Sequence, residues 1–273
     1  MRADTQRAAE TIRRPRWSER AEAELSSGSL AALLADEIPA IRIRNFATAQ
    51  ECAAFAEAVR RRGLRFYSVA RRIGYIGLAQ YEYRWNRPKE DYFRDVIVAD
   101  QEKQAVLDGS FDAVRRLIDR LAEHYPAGRV GIAEEALGPY YAGIIRQASE
   151  GVDLHADFAP FNAPAYVIGS IDAQLGWNYY AEDLIAGGET TVHHAPWTPE
   201  MQPGEIPKSY GLPQEIVAGA ETFTFTPDVG DVVIFNTRNP HEIAGGEAGP
   251  GRERISIGSF IGRLPNRDLV LWS

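Results

Sequence analysis

The spacing of apolar and polar residues divides the chain into two parts with different predicted structures. Upstream of residue 135, two segments have apolar residues at helical spacing, and Ile41 and Ile43 alternate with Arg42 and Arg44. This alternation predicts a half-buried strand within residues 40–46. From residue 140 onward, short apolar runs are separated by Gly, Pro and Asp, which is typical of a sandwich or barrel. We therefore expect helices first and sheets afterwards.

The first predicted helix has a clear start and a clear end. Thr48 and Glu51 form a capping box, and apolar residues at helical spacing follow until Gly63. A second helix is predicted over residues 111–125, with an apolar stripe that begins at Val114. We expect both helices to support the core rather than to carry chemistry.

The C-terminal part contains the repeated strand pattern on which the fold prediction depends. Strands are predicted at residues 140–147, 152–157, 174–181, 189–194, 221–226, 231–236 and 254–261. Seven or eight such strands favour a double-stranded β-helix, or jelly roll, whose two facing sheets protect each other's edges. The expected fold class is therefore mainly β with flanking α, a jelly-roll core with N-terminal helices packed on one sheet.

The length of 273 residues is compatible with a single catalytic domain over residues 1–273. Within it, residues 1–20 are charged and lack periodicity, so we expect them to be loosely ordered. Residues 21–135 are predicted to give helical support, and residues 140–273 to form the jelly-roll core.

Charge and composition narrow the range of partners. The formal net charge is −8, whereas proteins that bind nucleic-acid phosphates carry a basic face, so we expect a small-molecule substrate and no nucleic acid. The single Cys52 excludes an internal disulfide framework. Because no stretch approaches the roughly 18 apolar residues needed to span a bilayer, we expect a cytoplasmic protein with no membrane contact. The oligomeric state stays open, with a homodimer as one option.

Three residues in the C-terminal part form a candidate metal site. His155 and Asp157 are two positions apart, so on an extended strand their side chains leave the same face. His241 follows the predicted strand 231–236, where a jelly roll can return it beside the first strand. Two imidazoles and one carboxylate with open positions suit non-heme Fe(II), although Co, Ni, Mn or Zn could occupy the site in vitro. The alternative is that both histidines are hydrogen-bonded structural residues.

Arg254 and Ser256 repeat the two-residue spacing, which places a guanidinium and a hydroxyl on one face of a strand. The planar guanidinium suits a carboxylate better than an ammonium group does. An ordinary ion pair of Arg254 is the alternative. His193 and His194 are adjacent, so strand parity sends them to opposite faces and they cannot chelate one ion together.

From about residue 144 to the C-terminus, the sequence resembles a known enzyme family. The supporting segments are AGGETTV at 186–192, WTP at 197–199, PDVGDVVIFN at 227–236, IGSF at 257–260 and LWS at 271–273, with weaker similarity at 78–80. They are similar to the Fe(II)/2-oxoglutarate-dependent oxygenases that group N-substituted L-amino-acid hydroxylases with hapalindole-type alkaloid halogenases. The resemblance covers well over half the chain.

The resemblance implies a dioxygenase that uses Fe(II), 2-oxoglutarate as co-substrate and O2, and that releases succinate and CO2. By resemblance, Arg254 and Ser256 hold the distal carboxylate of 2-oxoglutarate, with Arg252 the next candidate. The halogenases have a small residue where Asp157 stands, and the missing carboxylate leaves a coordination position for chloride. Because this chain retains Asp157, we expect hydroxylation of an unactivated aliphatic C–H, with an amino acid or N-acyl amino acid as the favoured substrate.

Substrate-binding residues are predicted in two places. By resemblance, the segment 71–81 borders the substrate, which makes Arg72, Gly77 and Leu78 candidates, although an ordinary surface loop is an alternative. Phe158 directly follows a predicted ligand and could wall an apolar pocket. An anionic substituent of the substrate could meet one of the arginines at 71, 72 or 84.

Two alternatives to the favoured function stay open. The same iron chemistry could act on a specialised metabolite or a nucleotide, which a panel of substrates assayed for succinate release would separate. The chain could also be a non-catalytic, metal-binding cupin-like jelly roll, in which case 2-oxoglutarate would not be decarboxylated in the presence of iron and ascorbate.

Overall fold

The structure, a computed structural model, describes residues 15–66, 73–83, 87–201 and 211–273. Within these residues there are five α-helices: α1 Ser27–Leu34, α2 Ala49–Arg62, α3 Lys89–Leu107, α4 Ala113–His124 and α5 Ala159–Asn162. Short 3-10 helices are found at Gln80–Tyr83, Val167–Ser170, Pro199–Met201 and Gln214–Val217. None of the described helices combines the length and apolar character needed to cross a bilayer.

Eighteen strands are present in the described part of the chain. They are β1 Ala23–Glu24, β2 Ala40–Ile43, β3 Arg65–Phe66, β4 Gly74–Ile76, β5 Val130–Ile132, β6 Glu134–Glu135, β7 Gly138–Pro139, β8 Ile144–Ala148, β9 Val152–His155, β10 Ala173–Glu182, β11 Ala186–Gly187, β12 Thr190–His193, β13 Thr222–Phe225, β14 Val232–Asn236, β15 His241–Ile243, β16 Gly246–Glu247, β17 Arg254–Arg263 and β18 Leu269–Trp272.

Most strands join one large, mainly antiparallel sheet of ten strands. Its order is β1-β2-β14-β10-β17-β8-β4-β3, and β18 pairs with both β17 and β5. The centre consists of β10 and β17, which pair from Ala173 with Arg263 to Glu182 with Ile255. A second, four-stranded antiparallel sheet has the order β13-β12-β15-β9, and β11 with β16 and β6 with β7 form two-stranded pairs. The architecture is therefore mixed α and β with large antiparallel sheets.

The main hydrophobic core lies between the helices and one face of the large sheet. Fully buried residues from α1, α2, α4 and β10 meet there, among them Leu30, Phe55, Leu117 and Tyr179. Burying side chains of this size stabilises the fold by roughly 1.5–3 kcal/mol each. The Tyr179 hydroxyl also donates a hydrogen bond of 3.2 Å to the buried Cys52 Sγ. The helices thus cover one face of the sheet and leave its other face for the site described below.

The predicted helix α2 is confirmed, together with its capping box. The Thr48 hydroxyl accepts a hydrogen bond from the Glu51 N–H at 3.2 Å, and the Glu51 carboxylate accepts one from the Thr48 N–H at 2.9 Å. Arg116 also donates to this carboxylate. Hydrogen bonding by Arg116 first, and by Thr48 second, lowers the pKa of Glu51 to about 2. Gly63 follows the last helical residue with φ of 77°, a conformation that glycine adopts at little cost.

Each of the seven strands predicted beyond residue 140 corresponds to a strand in the structure, although the first begins at Ile144 rather than at residue 140. The strand predicted near residue 40 is also present, but the expected half-buried pattern is wrong. All four residues of β2 are buried, including Arg42. Glu22, Asp228 and Asp231 surround its guanidinium, so ion pairing rather than solvent satisfies this charge.

The expectation that residues 21–135 act as helical support is incomplete. This region contains α1 to α4, but it also contributes β1, β2, β3, β4 and β5 to the large sheet. Part of the N-terminal segment expected to be loosely ordered is docked on the fold. Trp17 is only 5% exposed, its ring stacks on His194 at 4.5 Å, and its backbone N–H donates to Glu221. Residues 1–14 lie outside the described residues.

Candidate active site

The four-stranded sheet brings the three predicted metal ligands together. His155 ends β9 and His241 begins β15, and these two residues are direct partners in the antiparallel register. Asp157 lies two residues beyond His155, where its backbone N–H donates to Thr237 O at 2.9 Å. The Nε2 atom of each histidine lies 3.8 Å from the Asp157 Oδ2. Cross-strand pairing therefore explains how residues distant in sequence meet at one point.

Backbone carbonyls orient both imidazole rings. His155 Nδ1 lies 2.7 Å from Asp153 O, and His241 Nδ1 lies 3.0 Å from Asn239 O. A carbonyl oxygen can only accept, so in each ring Nδ1 carries the proton and donates it. The Nε2 atoms of both rings therefore face Asp157. This arrangement fixes the tautomer that metal ligation requires.

The electrostatics of the site favour a neutral imidazole at His241. Burial first, and the neighbouring His155 second, hold the pKa of His241 well below its usual value. One ligand atom from each of His155, Asp157 and His241 lies within 4.8 Å of the others, and no other group of His, Cys, Asp and Glu in the described residues does this. Two imidazole nitrogens and one carboxylate oxygen on one side match the ligand set of a non-heme iron centre with open positions.

The predicted carboxylate clamp lies on the central strand of the large sheet. Arg254 begins β17, and Ser256 follows on the same face; both are buried and line the cavity that contains the triad. Arg254 Nε donates to Asp183 Oδ1 at 2.7 Å. Its Nη2 is buried and has no hydrogen-bond partner within the described residues. The guanidinium is thus held in place through Nε, while its Nη2 donor lacks an acceptor.

Gly188 makes room for the Arg254 guanidinium. A Cβ atom at Gly188 would overlap Arg254 Nη2, and the residue has φ of 79°, which side-chain-bearing residues rarely adopt. The guanidinium therefore lies against the backbone of Gly188, and its unpartnered Nη2 fits an incoming carboxylate, which offers the acceptor oxygens that the guanidinium lacks.

One cavity of about 420 Å³ connects the triad with the clamp. Its lining combines apolar side chains, including Ile144 and Trp177, with polar ones, including Asn178. Both the size and the mixed lining are typical of small-molecule sites, which occupy roughly 300–1,000 Å³. The cavity therefore has room for a co-substrate and part of a second small molecule.

Of the three predicted substrate residues that the structure describes, one lines the cavity and two do not. Phe158 lines the cavity, and the Arg238 guanidinium lies 4.8 Å from its ring centroid. Gly77 has φ of 122° and packs against Tyr141, and Leu78 packs against an aromatic core cluster; neither lines the cavity. Their neighbours Ala79, Gln80 and Tyr81 do line it. Arg72, like the arginines at 71 and 84, lies outside the described residues.

Other sequence candidates have separate partners. His193 Nε2 lies 3.0 Å from Glu242, and His194 Nε2 lies 3.2 Å from Asp36, so the two adjacent histidines do not share a site. Arg252, the second candidate for the clamp, is 61% exposed and faces Glu182 at 3.7 Å. Sequence reasoning missed Asp183. Its position next to the cluster AGGETTV is a weak signal, and only the fold pairs it with Arg254.

The fold and the site together define a class of protein. A triad of two imidazoles and one carboxylate lies in the same cavity as a buried arginine with an unused donor, as expected for a metal-dependent oxygenase with an acidic co-substrate. The family model described as carrier-protein-independent halogenase WelO5 matches residues 20–273, and the chain belongs to this family. It is accordingly an oxygenase of the Fe(II)/2-oxoglutarate type that acts on a small molecule.

Two individual relatives are similar in sequence. Leucinostatins biosynthesis cluster protein S of Purpureocillium lilacinum is 33% identical over 211 residues, covering 74% of this chain and 86% of the relative. L-gamma-glutamyl-L-propargylglycine hydroxylase of Streptantibioticus cattleyicolor is 32% identical over 139 residues, covering 50% of this chain and 49% of the relative.

A solved structure supports the fold. The N-substituted L-amino acid dioxygenase from Burkholderia ambifaria has a TM-score of 0.59 at 14% identity, covering 90% of this chain and 91% of its own. The same dioxygenase in complex with alpha-KG has a TM-score of 0.56. At this level of identity the similarity shows a shared fold.

Proposed function

We propose that this chain is a hydroxylase that uses Fe(II), 2-oxoglutarate and O2 to place a hydroxyl group on an unactivated aliphatic carbon of a small molecule. The observation that carries the proposal is the arrangement in one cavity of three convergent ligand atoms and the unpartnered Nη2 of Arg254. The triad offers ligands for a metal, and Arg254 offers a donor for a carboxylate.

The strand order supports a double-stranded β-helix as the scaffold of this site. The large sheet contains β8, β10, β14 and β17, and the small sheet contains β9, β12, β13 and β15. Along the chain these strands alternate between the two sheets, except that β12 and β13 both lie in the small one. Four strands of each sheet then face each other, which is the jelly-roll arrangement. In this proposal residues 1–273 form one domain, with residues 140–273 as its core.

In the proposed mechanism, His155, Asp157 and His241 would hold Fe(II). The metal would supply open coordination positions for O2 and for the 2-oxo acid end of the co-substrate. The chain orients both imidazoles through the carbonyls of Asp153 and Asn239. Holding the rings in this orientation reduces the cost of binding the metal.

Arg254 and Ser256 would hold the distal carboxylate of 2-oxoglutarate. Asp183 positions the guanidinium through Nε, so that Nη2 is directed at the carboxylate rather than at solvent. Holding the co-substrate at a fixed place relative to the metal lowers the entropic cost of the reaction. In the balanced reaction, one oxygen atom of O2 enters the C–H bond of the substrate and the other enters succinate, and CO2 is released.

Asp157 decides between hydroxylation and halogenation in this proposal. The chain belongs to a halogenase family, but a carboxylate fills the third protein position beside the two imidazoles. A halide would have to compete with this bound carboxylate, so oxygen insertion is the favoured outcome. Chlorinated product from the unmodified enzyme in chloride buffer would contradict this part of the proposal.

The favoured substrate is an amino acid or an N-acyl amino acid. Two similar proteins support this class. One is a hydroxylase of a glutamyl-propargylglycine, and the other is a dioxygenase of N-substituted L-amino acids. Phe158 would provide part of an apolar wall for the carbon that reacts. The roles of Arg72, Gly77 and Leu78 stay predictions.

The experiment that tests the proposal is anaerobic addition of Fe(II) and 2-oxoglutarate to the purified protein. We expect a weak visible charge-transfer band from the chelate of the co-substrate with the metal. Zn(II) in place of Fe(II) is the control, because its filled d shell gives no such band. A folded protein that binds Fe(II) but gives no band with 2-oxoglutarate would contradict the proposal.

A second measurement addresses turnover. After admission of O2, a panel of L-amino acids and N-acetyl-L-amino acids is assayed for succinate and for a product heavier by one oxygen atom. Production of succinate without any of these substrates would already exclude a purely structural metal site. Coupled hydroxylation of a panel member would establish the substrate class.

A further inference from the structure

Arg146 is a cavity-lining arginine that neither the metal nor the co-substrate requires. It lies in the middle of β8, and alternate residues of this strand, Ile144, Arg146 and Ala148, all line the cavity. In the sheet it is the direct partner of Ser256 on one side and of Tyr75 on the other. Its side chain therefore points to the same face as the proposed clamp.

The guanidinium of Arg146 makes no ion pair or hydrogen bond within the part of the chain that the structure describes. A guanidinium that lines a cavity without an acidic partner suits an anionic ligand, which would supply the acceptor oxygens. Glu150, which also borders the cavity, is exposed and has interactions of its own with other groups. The other arginine of the cavity, Arg254, is held by Asp183 through Nε and is assigned to the co-substrate. Arg146 thus leaves an uncompensated positive charge in the cavity.

The charges of the co-substrate are already matched without Arg146. The proposed metal takes the 2-oxo acid end of 2-oxoglutarate, and Arg254 with Ser256 takes the distal carboxylate. Arg254 is 7% exposed, so a ligand can contact it only from inside the cavity. Arg146 is half-buried, so part of its side chain is open to solvent. Arg146 also neighbours β4, which leads into Ala79, Gln80 and Tyr81 at the cavity wall. Its surroundings are therefore those of a group that meets a ligand arriving from solution.

We propose that Arg146 binds a carboxylate of the substrate, so that the enzyme selects molecules with a free carboxylate near the carbon that reacts. This inference rests on the proposed function, because it takes the triad and Arg254 as occupied by Fe(II) and 2-oxoglutarate. A guanidinium binds a carboxylate through two parallel hydrogen bonds, which gives orientation as well as affinity. The substrate would then be held at one end while its aliphatic part faces the metal.

The test compares acids with their neutral amides. The N-acetyl derivatives of the proteinogenic L-amino acids and the corresponding primary amides are assayed for succinate release and for their effect on the Fe(II)/2-oxoglutarate band. With the wild-type enzyme, we expect the best acid to exceed its amide by about thirtyfold or more in kcat/KM, the loss typical of removing half of a charged pair. Arg146→Gln should abolish this preference, and Arg146→Lys should retain part of it.

Controls separate the possible outcomes. Arg115→Gln removes an equal charge from an exposed position on α4, where Arg115 pairs with Asp119, and should leave the preference unchanged. The 2-oxoglutarate concentration that half-saturates the band should be the same in Arg146→Gln as in wild type. A weaker co-substrate affinity with an unchanged acid preference would assign Arg146 to 2-oxoglutarate and overturn the inference.

The remaining outcomes are also decisive. If the wild-type band forms but no acid on the panel exceeds its amide in turnover or in its effect on the band, the inference fails while the proposed function stands. If the band does not form in the wild-type protein, the proposed function itself fails. An acid preference that survives in Arg146→Gln would place the recognition of the carboxylate on another residue.

Discussion

The two ends of the cavity are built in different ways. At the metal end, backbone carbonyls of Asp153 and Asn239 orient the imidazoles, and strand register pairs His155 with His241. At the clamp end, the Asp183 side chain orients Arg254, and the absence of a side chain at Gly188 makes room for the guanidinium. The path of the backbone thus determines the first end, and the identity of particular side chains determines the second.

This difference predicts how each end responds to substitution. A backbone carbonyl remains when the side chain of its residue is replaced. Fe(II) binding at the metal end should therefore tolerate substitutions around the ligands. The Asp183 carboxylate and the room that Gly188 provides are each lost when that residue is replaced. Binding of 2-oxoglutarate at the clamp end should therefore be sensitive to substitutions beside Arg254. Four substitutions examine this contrast.

The largest expected effect is at a ligand itself. Asp157→Ala removes one of three ligand atoms and a negative charge, so we expect hydroxylation to fall by more than about a hundredfold, since losing even an outer partner costs on the order of ten- to a hundredfold. Product formation at saturating Fe(II), measured by mass spectrometry, checks this. Asp157→Glu serves as the control that keeps the charge. Undiminished hydroxylation in Asp157→Ala would remove Asp157 from the metal site.

The next effect is at the clamp. Arg254→Ala removes the donor. The free energy of 2-oxoglutarate binding should become less favourable by about 2–5 kcal/mol, so the half-saturating concentration should rise by roughly thirtyfold or more. The concentration of 2-oxoglutarate that half-saturates the chelate band is the quantity to measure. Fe(II) affinity should be unchanged, because the metal end does not depend on this residue. Unchanged co-substrate affinity would show that the distal carboxylate binds elsewhere, with Arg146, which lines the same cavity, as the next candidate.

A smaller effect is expected when a side chain is added beside Arg254. Gly188→Ala places a methyl group on Nη2 and strains a residue whose φ is 79°. Strain of this kind costs of order 1–3 kcal/mol, so we expect about a tenfold weaker 2-oxoglutarate binding together with a lower melting temperature. Gly251→Ala is the matched control, since Gly251 has φ of 67° and open space around it. Equal 2-oxoglutarate affinity in the two variants would show that Gly188 matters only for backbone conformation.

The smallest effect is expected at the metal end. Asp153→Ala removes an exposed carboxylate two residues from His155 but keeps the carbonyl that accepts from its Nδ1. Fe(II) affinity should stay within about twofold of wild type, because a backbone acceptor is common to all residues. Titration with Fe(II) under anaerobic conditions measures this. A loss of tenfold or more would show that the Asp153 side chain, and not only its carbonyl, supports the metal end.

Much of the C-terminal part could be predicted from sequence because its strands are short and bounded by turn residues. The predicted strand 174–181 is found at Ala173–Glu182, and 231–236 at Val232–Asn236. The spacing of His155 and Asp157 predicted a shared location, and the structure brings both to His241. Strand periodicity is a local property, so it survives without knowledge of tertiary contacts.

Long-range charge pairing and one long helix were not predictable in the same way. Nothing in the sequence pairs Arg254 with Asp183 or Arg42 with Asp228, since many carboxylates compete for each arginine. The helix α3 contains the β-branched run Val96, Ile97 and Val98, which resembles a strand. Because Ile97 and Val98 are 62% and 58% exposed, the apolar positions do not mark the buried face. Tertiary packing rather than propensity forms this helix.

The buried environment of Cys52 has a practical consequence for labelling. The chain has one cysteine, and this thiol is 3% exposed and hydrogen-bonded by Tyr179, with its pKa raised by burial. Thiolates rather than thiols react with maleimide dyes, so the native protein should remain unlabelled under mild conditions. A cysteine introduced on the surface would then carry the only fluorophore, and movements around the cavity could be followed without first removing the natural residue.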